Sequence, residues 1–111
     1  MEKVAITDLK ICDGPVVQLN DVVELFYRVS LPDGTEIEST FSPDIPINLR
    51  YSELAMLKGL YLGMAGMRTG GSLRKIQIPS GLAFGARSWQ NIPANTDLII
   101  EITLSRIIYN T

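Results

Sequence analysis

Val22-Val23-Glu24-Leu25-Phe26-Tyr27-Arg28-Val29-Ser30-Leu31 alternates without a break. Val23, Leu25, Tyr27, Val29 and Leu31 fall on one face. Glu24, Phe26, Arg28 and Ser30 fall on the other, the two-residue period of a half-buried strand. Leu31-Pro32-Asp33-Gly34-Thr35 follows as a turn, in which proline presets one dihedral and glycine accepts a positive one. Glu36 to Thr40 resumes as a shorter strand with Ile37 and Ser39 on one face, so the two strands form a hairpin. Working outward, Asp97 to Ile108 repeats the pattern, with Leu98, Ile100, Ile102 and Leu104 turned one way. Leu73 to Ile78 is a third clear strand, Ile76 and Ile78 inward, Lys75 and Gln77 outward. Lys3 to Ile11 and Val16 to Leu19 also read as strands.

Between Ser52 and Met67 the period changes. Leu54, Leu57, Leu60, Tyr61 and Met64 recur at spacings of three and four, which predicts a helix. Ser52 stands where a cap would. Gly59 and Gly63 lower the interior propensity and keep the helix short, and Gly66 with Gly70-Gly71 ends it. One helix covering one apolar sheet face gives an α+β domain: an antiparallel sheet of about five strands, curved by its twist around one short helix.

A chain of 111 residues fits one domain, and 46% hydrophobic against 20% charged residues fits a globular one. The net charge of −2, with no basic block, argues against nucleic-acid binding. No apolar run is long enough to span a bilayer. Met1 to Asp8 lacks an apolar signal core, so the cytoplasm is the expected compartment; a secreted or periplasmic origin would require a processed precursor. With no histidine and one cysteine, Cys12, neither a Ser-His-Asp or Cys-His arrangement nor a thiolate metal cluster can be built. Cys12 is expected as a small buried hydrophobe in a strand. Glu36 and Glu38 alternate on their strand with no further acids at metal-ligand spacing. No metal and no cofactor is therefore expected, and an enzyme of this composition works without a strong acid, base or nucleophile.

Ile78-Pro79-Ser80-Gly81-Leu82-Ala83-Phe84-Gly85, followed by Asn91-Ile92-Pro93-Ala94-Asn95, connects two strands yet is apolar and stiffened by proline. Such a connection serves as the wall of a binding site, or Leu82 and Phe84 plug the end of a small core.

The order of these motifs resembles the FKBP family, the tacrolimus-binding peptidyl-prolyl isomerases, over roughly Leu19 to Ile107. Asn20 to Tyr27 is similar to the family's first long strand, and Leu31 to Thr40 to its hairpin and acidic-serine step. Leu57-Lys58-Gly59-Leu60 through Met67 resembles its helix and glycine turn. Ile76-Gln77-Ile78-Pro79-Ser80-Gly81-Leu82-Ala83-Phe84-Gly85 is the most specific match, and Ile92 to Leu104 resembles the closing loop and strand. The resemblance implies a single FKBP-like domain over 1–111, with 1–18 as an N-terminal strand region and 19–108 as the core.

It also implies residue roles. Tyr27, Glu38 and Phe84 take the catalytic positions. Tyr27 is a pocket-wall tyrosine or an inward core aromatic. Glu38 stands where aspartate is usual, to polarise substrate or orient Tyr27. Phe84 replaces a tyrosine, keeping the wall without the hydroxyl. Ile37, Ile47, Met56, Leu57, Leu60, Ile92 and Ile100 take substrate-binding positions, with Leu60 in place of a floor tryptophan. Trp89 is an exposed substrate contact or folds back over the core. The implied reaction is cis–trans isomerisation of the bond before proline, assisting folding, by a dry apolar pocket that favours the twisted amide. Weak to moderate turnover is expected. The implied partners are proline-containing peptides or unfolded proteins and macrolides, met by a monomer. The alternatives are a proline-segment binding or chaperone module with little turnover, and a structural domain whose pocket is filled by Leu60, Phe84 and Ile100.

Overall fold

The computed structural model describes residues 3–41, 45–88 and 92–110. Among them, six strands form one antiparallel sheet: β1 (Ala5–Lys10), β2 (Asp21–Ser30), β3 (Glu36–Ser39), β4 (Ile47–Arg50), β5 (Ser72–Ile78) and β6 (Leu98–Asn110). The order is β1-β5-β6-β2-β3, and β4 also pairs with β2. Leu98, Ile100, Ile102 and Leu104 of β6, Ile76 and Ile78 of β5, and Val23 and Leu25 of β2 are almost wholly buried, so the inward faces of the long strands make the core. Each fully buried Leu or Ile contributes about 1.5–3 kcal/mol relative to an exposed one.

The expected count was about five; the additional strand is β4. It and β3 share one edge of β2, β4 opposite Val22 to Leu25 and β3 opposite Arg28 to Ser30. Val16 to Leu19 is not a strand, since only Val16 makes an isolated bridge, to Arg68. Cys12 follows β1 rather than lying in a strand and is half-buried, its N–H donating to Ser72 Oγ at 2.8 Å.

The helix, α1 (Lys58–Met64), is shorter than the Ser52 to Met67 pattern. Residues 52–55 form a turn, in which Ser52 Oγ accepts the Leu54 N–H at 3.2 Å instead of capping the helix, and Leu54 is 99% exposed. Gly59 and Gly63 do more than limit helix length. They are buried, one turn apart, and face β5: a Cβ on Gly59 would lie 2.2 Å from Ile78 Cγ2, and one on Gly63 2.5 Å from Ile76 Cγ2. Their lack of side chains sets the helix-to-sheet distance.

Arg74 of β5 pins three elements. Its Nε donates to Asp8 Oδ1 of β1 at 2.7 Å, and its Nη1 to the carbonyls of Gly63 and Ala65, both at 2.9 Å. These carbonyls lie at the helix C-terminus, where acceptors lack intrahelical partners and a cation is favoured.

Candidate functional site

A cavity of about 230 Å³ opens between the helix start, the sheet and the apolar loop. β2 supplies Tyr27, β3 Ile37 and Glu38, and β4 Ile47. The segment entering α1 supplies Met56 and Leu57, and the helix itself Leu60. Phe84 and Ile92 come from the 79–97 loop, and Ile100 from β6. The fold therefore gathers ten of the expected site residues around one space. Trp89 lies outside the described residues. Leu60, Phe84 and Ile100 line this space without filling it. Sequence reasoning did not single out Leu25, Val29, Leu98 and Ile102, which also line it; their signal was the inward face of each predicted strand. Leu49 and Ala55 also line it, and neither carried a pattern that marked it.

A bulge brings two consecutive residues of β3 to the cavity. Ser30 pairs with Glu36 and Val29 with Glu38, so Ile37 is the extra residue. The expected alternation placed Ile37 and Ser39 together and Glu38 opposite. Instead, Glu38 lies across from Val29, on the cavity side, and Ile37 lines the cavity beside it. Bulges re-aim side chains in this way. Just beyond, Thr40 holds the Tyr27 backbone twice: its Oγ1 accepts the Tyr27 N–H and its N–H donates to the Tyr27 carbonyl, each at 2.9 Å.

Among the described residues, Tyr27 and Glu38 are the only lining residues with polar side chains, and they face each other. The Tyr27 hydroxyl donates to the Glu38 carboxylate. Burial, then this hydrogen bond and the adjacent negative charge, push the phenol up to about 12. The phenol is thus a neutral donor throughout the physiological range.

The loop is built to hold its shape. Ser80 to Leu82 form a single 3₁₀ turn, and the Ser80 carbonyl accepts N–H groups from Ala83 at 3.0 Å and Gly85 at 2.7 Å. Gly85 and Asn95 take φ of 60° and 58°, where glycine and asparagine are tolerated. The Gly85 carbonyl accepts the Asn95 N–H at 2.7 Å, and Asp97 Oδ1 accepts the Ser80 N–H at 2.8 Å. These two closures pin both limbs of the loop. Phe84 is half-buried against the core and Ile92 is 2% exposed. Leu82 packs on the core without lining the cavity.

A family model described as FKBP-type peptidyl-prolyl cis-trans isomerase matches residues 14–105. FK506-binding protein 4 of Chaetomium thermophilum is 34% identical over 107 residues, 96% of this chain and 22% of that protein. Peptidyl-prolyl cis-trans isomerase FPR2 of Saccharomyces cerevisiae is 38% identical over 86 residues, 76% of this chain and 63% of that protein. The chain spans about a fifth of the length of the FK506-binding protein 4 relatives it matches. Among solved structures, a peptidyl-prolyl cis-trans isomerase from Pseudomonas syringae pv. tomato superposes with a TM-score of 0.82 at 28% identity, over 94% of this chain and 74% of that one. AtFKBP13 gives 0.80 at 25% identity, over 97% and 93%. A family match that begins before β2 and ends within β6, on a fold shared this closely, makes the chain a member of the FKBP-type peptidyl-prolyl cis-trans isomerase family.

Proposed function

We propose that the chain catalyses cis–trans isomerisation of Xaa-Pro bonds, holding proline in the cavity under the 79–97 loop. The observation that carries this reading is the lining itself: an apolar space whose polar groups are confined to the Tyr27–Glu38 pair. The barrier to rotation, about 18–20 kcal/mol, arises from amide resonance. A planar amide is more charge-separated than a twisted one, so a dry apolar wall disfavours the ground state relative to the transition state. Ile37, Ile47, Leu60 and Ile100 form that wall in this reading. Tyr27 offers a neutral hydroxyl oriented by Glu38, and Phe84 closes the top with its ring. No covalent step, proton transfer, metal or cofactor is required.

A second reading has one observation in its favour. Phe84 carries no donor, and the Tyr27 hydroxyl already donates to Glu38, so the cavity holds proline more readily than it polarises the amide. That arrangement suits a binding or chaperone module, and the same space would take a macrolide. A protease-coupled or NMR exchange assay on a short Xaa-Pro peptide decides between the two. Catalysed exchange is expected. Binding without acceleration at high protein concentration would select the module, and neither would reject both. The reading includes a monomeric, cytoplasmic protein acting on peptides and unfolded chains; sedimentation and cell fractionation test those parts.

A further inference from the structure

The site carries one carboxyl group, and among the described residues no cation pairs with it. The ion pairs among the described residues are Arg28–Glu101, Arg74–Asp8 and Arg106–Glu24; Glu38 has no cationic partner. The β3 bulge is the reason. In a hairpin with regular pairing, counting from Ser30 opposite Glu36 would set Ile37 across from Val29 and Glu38 across from Arg28, as an ordinary cross-strand pair. The bulge moves Glu38 to face Val29, and Arg28 is bonded to Glu101 instead. The surrounding stretch of sequence has the same sign. Between Arg28 and Arg50 it carries Asp33, Glu36, Glu38 and Asp44 and no Lys or Arg. The cations next in sequence to the opposite wall, Lys58 beside Leu57 and Arg87 beyond Phe84, are exposed, and neither is in an ion pair among the described residues.

We infer that Glu38 is a specificity residue: the site selects prolines flanked by Lys or Arg and discriminates against those flanked by Asp or Glu. The inference rests on the proline-binding reading above and names its substrate class. A carboxylate held by the Tyr27 hydroxyl is already oriented, and its remaining lone pairs accept an ammonium or guanidinium without displacing an internal partner. Glu38 is exposed beside Val29, Ile37 and Ile47 of the cavity lining, so a cation flanking a bound proline can reach it. A flanking acid would meet the same charge unpaired.

The test uses proline peptides that differ only in Lys, Gln or Glu, placed first before and then after the proline. kcat/KM is measured for the unmodified chain and for Glu38→Gln, whose amide oxygen still accepts the Tyr27 hydroxyl. At low salt, Lys is expected over Gln by about threefold to fivefold at one of the two positions, as for an exposed ion pair of good geometry. The ratio should fall toward one in concentrated salt and in Glu38→Gln. A purely structural role for Glu38 would lower turnover of all three peptides alike and leave the ratio unchanged, which overturns the inference. So does a ratio near one at both positions in the unmodified chain. Turnover of the Gln peptide tests the proline-site reading by itself. If no peptide turns over, the same ratios are read from affinities by fluorescence anisotropy: a Lys preference abolished by Glu38→Gln upholds the inference, and its absence rejects it.

Discussion

Replacing Gly59 by alanine sets two effects of opposite sign against each other. Alanine in a helix interior is favoured over glycine by about 1 kcal/mol. At this site, however, the new Cβ falls 2.2 Å from Ile78 Cγ2, 3.2 Å from Ile78 Cβ and 3.0 Å from the Leu82 carbonyl oxygen. Ile78 is fully buried on β5, and the Leu82 carbonyl belongs to the 3₁₀ turn of the loop, so neither neighbour can step aside. Overpacking costs about 1–3 kcal/mol; with backbone as one obstacle the upper part of that range applies, leaving Gly59→Ala net destabilising by about 1–2 kcal/mol. Urea unfolding should show the midpoint lowered by about 1 M with an unchanged slope. Gly63→Ala should cost less, because the three atoms nearest its new Cβ all belong to the Ile76 side chain and none to backbone. Ile76→Ala removes both Cγ2 and Cδ1, which lie 2.5 and 2.8 Å from the new Cβ, so Gly63→Ala and Ile76→Ala together should cost less than their sum by at least about 0.5 kcal/mol. Leu57 and Leu60 line the cavity from the same helix end, so Gly59→Ala should also weaken proline-peptide binding. A midpoint that stays or rises in Gly59→Ala, or strict additivity of the Gly63 and Ile76 changes, would refute the close-approach argument.

Tyr27 ionises at about 12 in the folded chain against an ordinary value of 10.0. A raised folded value means its contribution to stability is complete below pH 10 and is lost as the pH rises through about 12. Activity should therefore show no Tyr27 step at neutral pH. Ultraviolet titration should find Glu38→Gln bringing this phenol down, and no change would remove the Tyr27–Glu38 contact; Tyr51 is also raised, by burial, so the difference between the two proteins isolates Tyr27. Arg74→Met leaves Asp8 and the Gly63 and Ala65 carbonyls without their partner. Asp8 is one-third exposed, so the loss should fall at the low end of a broken buried pair, about 3 kcal/mol. Hydrogen exchange should show β1 losing protection first, and uniform loss across the sheet would contradict the pinning role. Phe84→Tyr adds a hydroxyl at the cavity wall, and one new hydrogen bond of about 0.5–1.5 kcal/mol should tighten a proline ligand by about twofold to tenfold; isothermal titration without a change would show the ring edge pointing away from the bound ligand.

The long strands were readable because strict alternation over β2 and β6 leaves little choice of face, whereas the two register shifts between them, at Val22/Val23 and Glu24/Leu25, depend on the pairing and not on either strand's own pattern. β4 was not, since Ile47-Asn48-Leu49-Arg50 offers only two apolar positions after Pro46, too short a period to separate from a loop. The helix was over-extended because three-and-four spacing continued back to Leu54, a residue the fold leaves in water. The two helix glycines were visible, but their purpose depends on which strand lies beneath them, a tertiary fact that propensity does not carry. The bulge at Ile37 is similarly silent: an extra residue in one strand is defined by its partner, not by its own pattern. The site was legible where apolar identity mattered and illegible where orientation did, as Glu38 demonstrates.

The double closure of the 79–97 loop makes it a replaceable cassette. The Asp97–Ser80 and Asn95–Gly85 bonds sit at its base, so chain inserted between Arg87 and Ile92 lies outside both. Closure entropy grows only logarithmically, about 0.6 kcal/mol for each doubling of length. Lengthening or grafting at that point, between Phe84 and Ile92 of the cavity lining, leaves both closures and the sheet beneath them intact. Divergence in client choice among proteins of this architecture is therefore cheapest by insertion there, and a directed library placed there explores new recognition without first having to rescue folding.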